Sequence, residues 1–207
     1  MNISILKTIY FNFYYLPIKE AIKFPIRVAK NTKILNMGNK SSLKLQSGST
    51  LFIGFGESFA LGGRTGWSIA NTGVISFKGN SIIGRGTQII VNSNAFLEIG
   101  KNFYCNANCI INAGNRIEIG DNCLIGWNVE ILDGDGHQII ENGKCGYKPI
   151  SIMNHVWLAS HVMVLKGVTI ESGCIVAAQS CVTKNILMNQ ALVKNNKILK
   201  VGINWEI

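Results

Sequence analysis

The sequence predicts a mainly β solenoid of short strands, and three observations carry that prediction. Between Ile152 and Val182 an aliphatic residue recurs every six positions: Ile152, Leu158, Val164, Ile170, Val176 and Val182. Two residues before each stands a companion: Ile150, Val156, Val162, Val168, Cys174 and Ser180. Gly often follows the aliphatic position, at Gly54, Gly84, Gly100, Gly120 and Gly126. The composition agrees, with 22 Gly and 3 Pro, 47% hydrophobic and only 15% charged residues. That balance excludes a disordered chain and suits many tight turns. A helix would repeat its apolar residues at three and four, and a hairpin sheet at two. A fixed period of six instead reads as strands that each bend into the next, with one repeated residue pointing inward.

Taken in order, residues 1–50 precede the clear repeat. Ile3 to Arg27 is apolar and aromatic, with Tyr10, Phe11, Phe13, Tyr14, Tyr15 and Phe24. Lys7, Pro17, Lys19, Glu20, Lys23 and Pro25 interrupt it. It therefore lacks the ~18 uninterrupted apolar residues of a membrane span. A partly helical segment is expected, and three roles stay open. It caps the first coil of the solenoid, which must cover its apolar end, or residues 1–30 make peripheral contact with a membrane interface, or the segment contacts the acceptor.

The body runs over 51–186, with a C-terminal tail over 187–207. Upstream of about residue 80 the period is ragged. Ile99, Cys105 and Ile111 keep it with companions Leu97, Phe103 and Cys109, as do Ile119, Ile125 and Ile131 with Ile117, Cys123 and Val129. Cys105, Cys109, Cys123 and Cys174 thus take inward positions, where free Cys is a small hydrophobe. Cys145 and Cys181 fall outside the register. No CxxC pair exists, so a zinc site is not expected. No secretory signal with a small-residue cleavage site stands at the start, so a reducing, cytoplasmic compartment is expected. The net charge of +9 asks for an anionic partner. Without a recognisable module, nucleic acid is not expected, which leaves a phosphorylated cofactor or an anionic membrane surface.

The register breaks in one telling place. Ile131 and Ile152 lie 21 residues apart, so a loop over about 133–149 leaves the wall. It carries His137, in Asp133-Gly134-Asp135-Gly136-His137. His titrates near neutral pH and suits a general base. A carboxylate from Asp133, Asp135 or Glu141 would orient the imidazole. His155 and His161 stand six apart, which puts them on adjacent faces pointing outward; no metal site is expected.

The six-residue pattern from about residue 50 onward, strongest over 117–186, resembles the hexapeptide-repeat acyltransferase family. The stretch 148–186 is similar to members that acetylate bacterial surface polysaccharides or their precursors. The resemblance implies a left-handed parallel β-helix in which three hexapeptides make one turn of a triangular prism. It also implies a homotrimer with active sites between subunits. The implied activity is direct acetyl transfer from acetyl-CoA to a sugar hydroxyl, with His137 as base and Asp135 beside it. Asn128 and Asp133 would contact the acceptor. Trp157, Ala159, Ser160, Ala177 and Ala178 would line the acetyl-CoA groove, and Lys166, Lys184, Lys197 and Lys200 would meet its phosphates. Trp157 equally suits wall packing, and Asn128 suits a turn. The zinc-binding branch of the fold needs other His spacings than the 18 and 6 found here. The family's glycines are replaced by Ala159, Glu171, Ala177 and Gln179, and Val193-Lys194-Asn195-Asn196-Lys197 lacks the usual Gly and Pro. Those replacements motivate one alternative, a non-catalytic β-helix that has lost CoA binding; a second, N-acetylation of an amino sugar nucleotide, stands because the acceptor is set by loop and N-terminal details.

Overall fold

The computed structural model describes residues 2–56, 63–139 and 144–206. The chain winds into a left-handed parallel β-helix with three faces. The first face stacks Ile26–Val28, Leu51–Ile53, Ser81–Ile83, Phe103–Cys105, Leu124–Ile125, Trp157–Leu158, Ile175–Val176 and Ala191–Lys194 in parallel. The second begins at Thr32–Met37 and ends at Cys181–Val182; the third runs from Leu43–Leu45 to Thr169–Ile170. The last strand, Lys197–Val201, turns back antiparallel to Ala191–Lys194.

The inward register is as the period requires. Ile117, Cys123, Val129, Ile150, Val156, Val162, Val168 and Val176 are all buried in one continuous core. Cys105, Cys109, Cys123 and Cys174 are buried free thiols in it, whereas Cys181 is exposed. The glycines after the aliphatic position have a packing reason. A Cβ on Gly126 would stand 2.7 Å from the backbone nitrogen of Ser160 in the next coil.

Burial pushes the Cys123 thiol up to about 11 from an ordinary value of 9.0. The folded state therefore holds this proton more tightly than the unfolded chain does. Stability should be fully present below about pH 9 and fall as pH rises to about 11. Two pH units correspond to about 2–3 kcal/mol for this one group. Chemical unfolding at pH 8 and pH 11 should show that loss, and Cys123→Ala should reduce the difference between the two.

The coil begins earlier than the sequence pattern suggests. Ile26–Val28 pairs with Leu51–Ile53, and Thr32–Met37 with Thr65–Ile69. The second half of the segment placed at 1–50 is thus the first coil, and its ragged period hid it. The first half caps it. Helix α1, Ile5–Tyr15, starts at Ser4, whose hydroxyl accepts from the Lys7 amide at 3.4 Å. Phe11 packs edge-on against Trp67, both fully buried. Asn12 donates to the Thr8 and Ile26 carbonyls at 2.7 and 2.6 Å and accepts from the Ile26 amide at 3.1 Å. Tyr15 donates to the Met37 carbonyl at 2.5 Å, and burial raises its phenol well above the ordinary range. The apolar end of the solenoid is covered by a helix whose few inward polar groups are satisfied.

Outward-pointing residues differ between faces. On the first face Phe52, Ile82, Tyr104, Leu124, Trp157, Ile175 and Leu192 form one apolar row. On the third face the equivalent row is Lys44, Ser76, Glu98, Glu118, Ser151 and Thr169.

Candidate functional site

Each coil turns three corners, here called first, second and third in the order the chain meets them after the first face. The corners need left-handed backbone, which Asn tolerates best among residues with a Cβ. Asn108, Asn128, His161 and Gln179 take it on the first corner, at φ of 58, 56, 60 and 60°. Asn128 is therefore a turn residue, and its amide lies 3.4 Å from Nε2 of His161. His155 takes the same conformation on the third corner. The two histidines do not converge.

The second corner carries the protruding segment. It is an antiparallel hairpin, Gly134–Ile139 with Lys144–Tyr147, where the sequence suggested only a loop. Asp133, at its root, is fully buried. Its carboxylate accepts from the backbone N–H groups of Gly114, Asn115 and Arg116 at 2.7, 2.8 and 2.7 Å. These three bonds tie the hairpin root to the coil above. They occupy the carboxylate that the sequence offered to the acceptor or to His137, so Asp133 is a structural staple. Tyr147 completes the root, lying so close over Gly114 and Gly134 that a Cβ at either would overlap its ring. Tyr147 was missed because only the hairpin brings it back over Gly114.

His137 stands exposed on the projecting strand. Asp135 is ion-paired with Lys166 of the next coil, also on the second corner. In one chain, then, Asp135 holds Lys166 rather than His137, and Lys166 braces the hairpin from below. Glu141, the third carboxylate considered for orienting His137, lies outside the described residues.

Of the residues assigned to acetyl-CoA, Lys166 and Lys184 share the hairpin's corner and the others fall elsewhere. Trp157 points outward from the first face, and Ala159, Ser160, Ala177 and Ala178 lie on the first corner. Ala159 and Ala177 stack in one column beneath Gly126, through Gly126 N–H to Leu158 and Ala159 N–H to Val176. Lys184 is exposed on the second corner, and Lys197 and Lys200 on the terminal hairpin. Within one chain His137 and the small-residue column therefore flank opposite edges of the second face.

Trp205 was also missed. It is nearly buried and stacks on His155, with centroids 4.1 Å apart and planes 6° from parallel. Its Nε1–H donates to the His155 carbonyl at 3.2 Å, and its own carbonyl lies 3.0 Å from His155 Nε2. A carbonyl only accepts, so that nitrogen carries a proton. Trp157 is 6.0 Å from the Trp205 ring. Fifty residues separate His155 from Trp205, and no local spacing signals the contact.

No protein-family model matches the chain. Over 53 residues it is 43% identical to galactoside O-acetyltransferase of Escherichia coli (strain K12). That alignment spans 26% of this chain and 26% of the relative. Among solved structures, a polySia-specific acetyltransferase (NeuO) is similar at a TM-score of 0.52 and 23% identity. The similarity covers 85% of this chain and 82% of that one. A polysialic acid O-acetyltransferase (OatWY) is similar at 0.50 and 23% identity, covering 88% and 90%. These structural likenesses carry the architecture.

Proposed function

We propose that this chain is an acetyl-CoA-dependent O-acetyltransferase that modifies a sugar hydroxyl, with His137 as general base. The observation that carries it is an exposed imidazole on a hairpin stapled at its root by Asp133 and braced by Asp135–Lys166. A base whose strand is anchored at its root is what positioned proton transfer requires. The names of the similar proteins, acetyltransferases of galactosides and polysialic acid, support the reaction class.

The imidazole of His137 takes the proton of an acceptor hydroxyl as its oxygen attacks the thioester carbonyl. The tetrahedral oxyanion is met by backbone N–H groups. The C–S bond then breaks, and the imidazolium returns its proton to the CoA thiolate. No acyl-enzyme is needed. The acetyl-CoA arm runs past the corner column of Ala159 and Ala177, where a methyl group leaves the backbone approachable. That column and His137 lie on different corners, so a complete site takes the hairpin of one subunit and the column of another. The half-buried apolar row on the first face is consistent with such self-association, since contiguous apolar surface marks interfaces. Homotrimer formation and an acceptor from bacterial surface polysaccharide synthesis complete the proposal.

Calorimetric titration with acetyl-CoA, with CoA as control, tests it. Micromolar binding followed by acetylation of an oligosaccharide acceptor is expected. A folded oligomer that binds neither thioester nor thiol would overturn the donor assignment and leave the non-catalytic β-helix.

A further inference from the structure

The cap of the solenoid has a second, uncovered side. Helix α1 turns Thr8, Phe11, Asn12 and Tyr15 into the fold. Its opposite side carries Ile5, Leu6, Ile9, Tyr10 and Phe13, exposed by 69, 82, 41, 51 and 47%. Ile18 and Ile22, at the two ends of the short helix that follows, are exposed as well. A helix apolar all round is ordinarily buried on both sides. Here one side has no covering element among the described residues.

The same end concentrates the charge. Residues 1–50 hold eight of the 20 basic residues and one of the 11 acidic ones, a net +7 out of +9. Two cavities flank the helix. One, of about 240 Å³, is lined by Ile3, Ile5, Thr8, Ile9, Phe24 and Arg27. The other, of about 470 Å³, is lined chiefly by Lys7, Lys30, Lys33 and Arg64. Among the described residues neither is lined by a carboxylate. Lys7 is fixed in place, its Nζ donating to the Lys30 and Thr32 carbonyls at 2.8 and 2.6 Å.

We infer that this surface docks on an anionic lipid bilayer, with α1 lying in the interface plane. The apolar side enters the headgroup–acyl boundary while the surrounding lysines meet lipid phosphates. Charge selects this occupant. A second copy would set +7 against +7, and a nucleic acid would meet the phosphate-binding groups but leave Ile5, Leu6 and Phe13 in water. A bilayer with anionic headgroups satisfies both. The inference rests on no part of the catalytic reading.

Sedimentation of the full-length protein with vesicles tests it. Vesicles of phosphatidylcholine with about a third phosphatidylglycerol should capture the protein at least ~10-fold better than phosphatidylcholine alone, and less so in 0.5 M salt. Leu6→Ser with Phe13→Ser should abolish capture, and Lys30→Gln with Lys33→Gln should weaken it, each with an unchanged melting temperature. Absence of capture by anionic vesicles would overturn the inference, as would capture that all four substitutions leave intact. So would a lipid-free oligomer that Leu6→Ser dissociates, because a second copy would then be the occupant.

Discussion

His137→Ala is expected to lower acetyl transfer to a sugar acceptor by about 10³-fold while leaving the melting temperature unchanged. The rate loss follows from removing a positioned base, worth roughly 10²–10⁴. The unchanged stability follows from the surroundings: the side chain is exposed, and no partner of its ring is found among the described residues. Surface substitutions of that kind stay within about 0.5 kcal/mol. The KM for acetyl-CoA should hardly move, because the imidazole acts on the acceptor's proton. Full turnover by the alanine variant would remove His137 from the chemistry. Asp135→Asn sharpens the result. If Asp135 serves only Lys166, the variant should loosen the hairpin modestly and keep the pH–rate profile. A shifted profile would show that Asp135 turns to His137 once subunits assemble.

Asp133→Ala is expected to cost about 3–5 kcal/mol of stability, the largest effect of any single polar substitution considered. The carboxylate is fully buried and accepts three backbone N–H bonds at 2.7–2.8 Å. Bonds to a charged acceptor contribute about 1.5–3 kcal/mol each, and three donors stranded in the wall would each carry a desolvation penalty. Denaturant unfolding would read the loss directly. Asp133→Asn keeps the shape and one acceptor oxygen, so it should fall between the two. A loss under about 1 kcal/mol for alanine would mean that water replaces the carboxylate and that the staple is unimportant. Because the staple anchors the hairpin root, transfer should drop with it even at temperatures where the variant stays folded.

These two residues show where sequence reasoning reached and where it stopped. His137 and Asp133 sit four positions apart in one Gly-rich stretch, and both looked like site residues by type. Their difference is burial and the donors around them, which come from Gly114, Asn115 and Arg116 one coil away. Asp135 shows the same limit, since its partner Lys166 is 31 residues on. The spacing of six set His155 and His161 apart on adjacent faces, whereas the structure seats both on corners, the third and the first.

The sequence by itself determined the solenoid, its inward stack and the point where the hairpin leaves it. The reason is that a repeating backbone makes burial a periodic function of position, and a period can be read without coordinates. Only the tertiary structure decided that the coil starts at Ile26, where irregular strands still pair in parallel. It alone decided that His137 and the Ala159–Ala177 column lie on different corners, and that Trp205 closes on His155. Those facts depend on contacts between residues from different coils or distant segments, where direction and distance are settled by packing and leave no trace in local spacing.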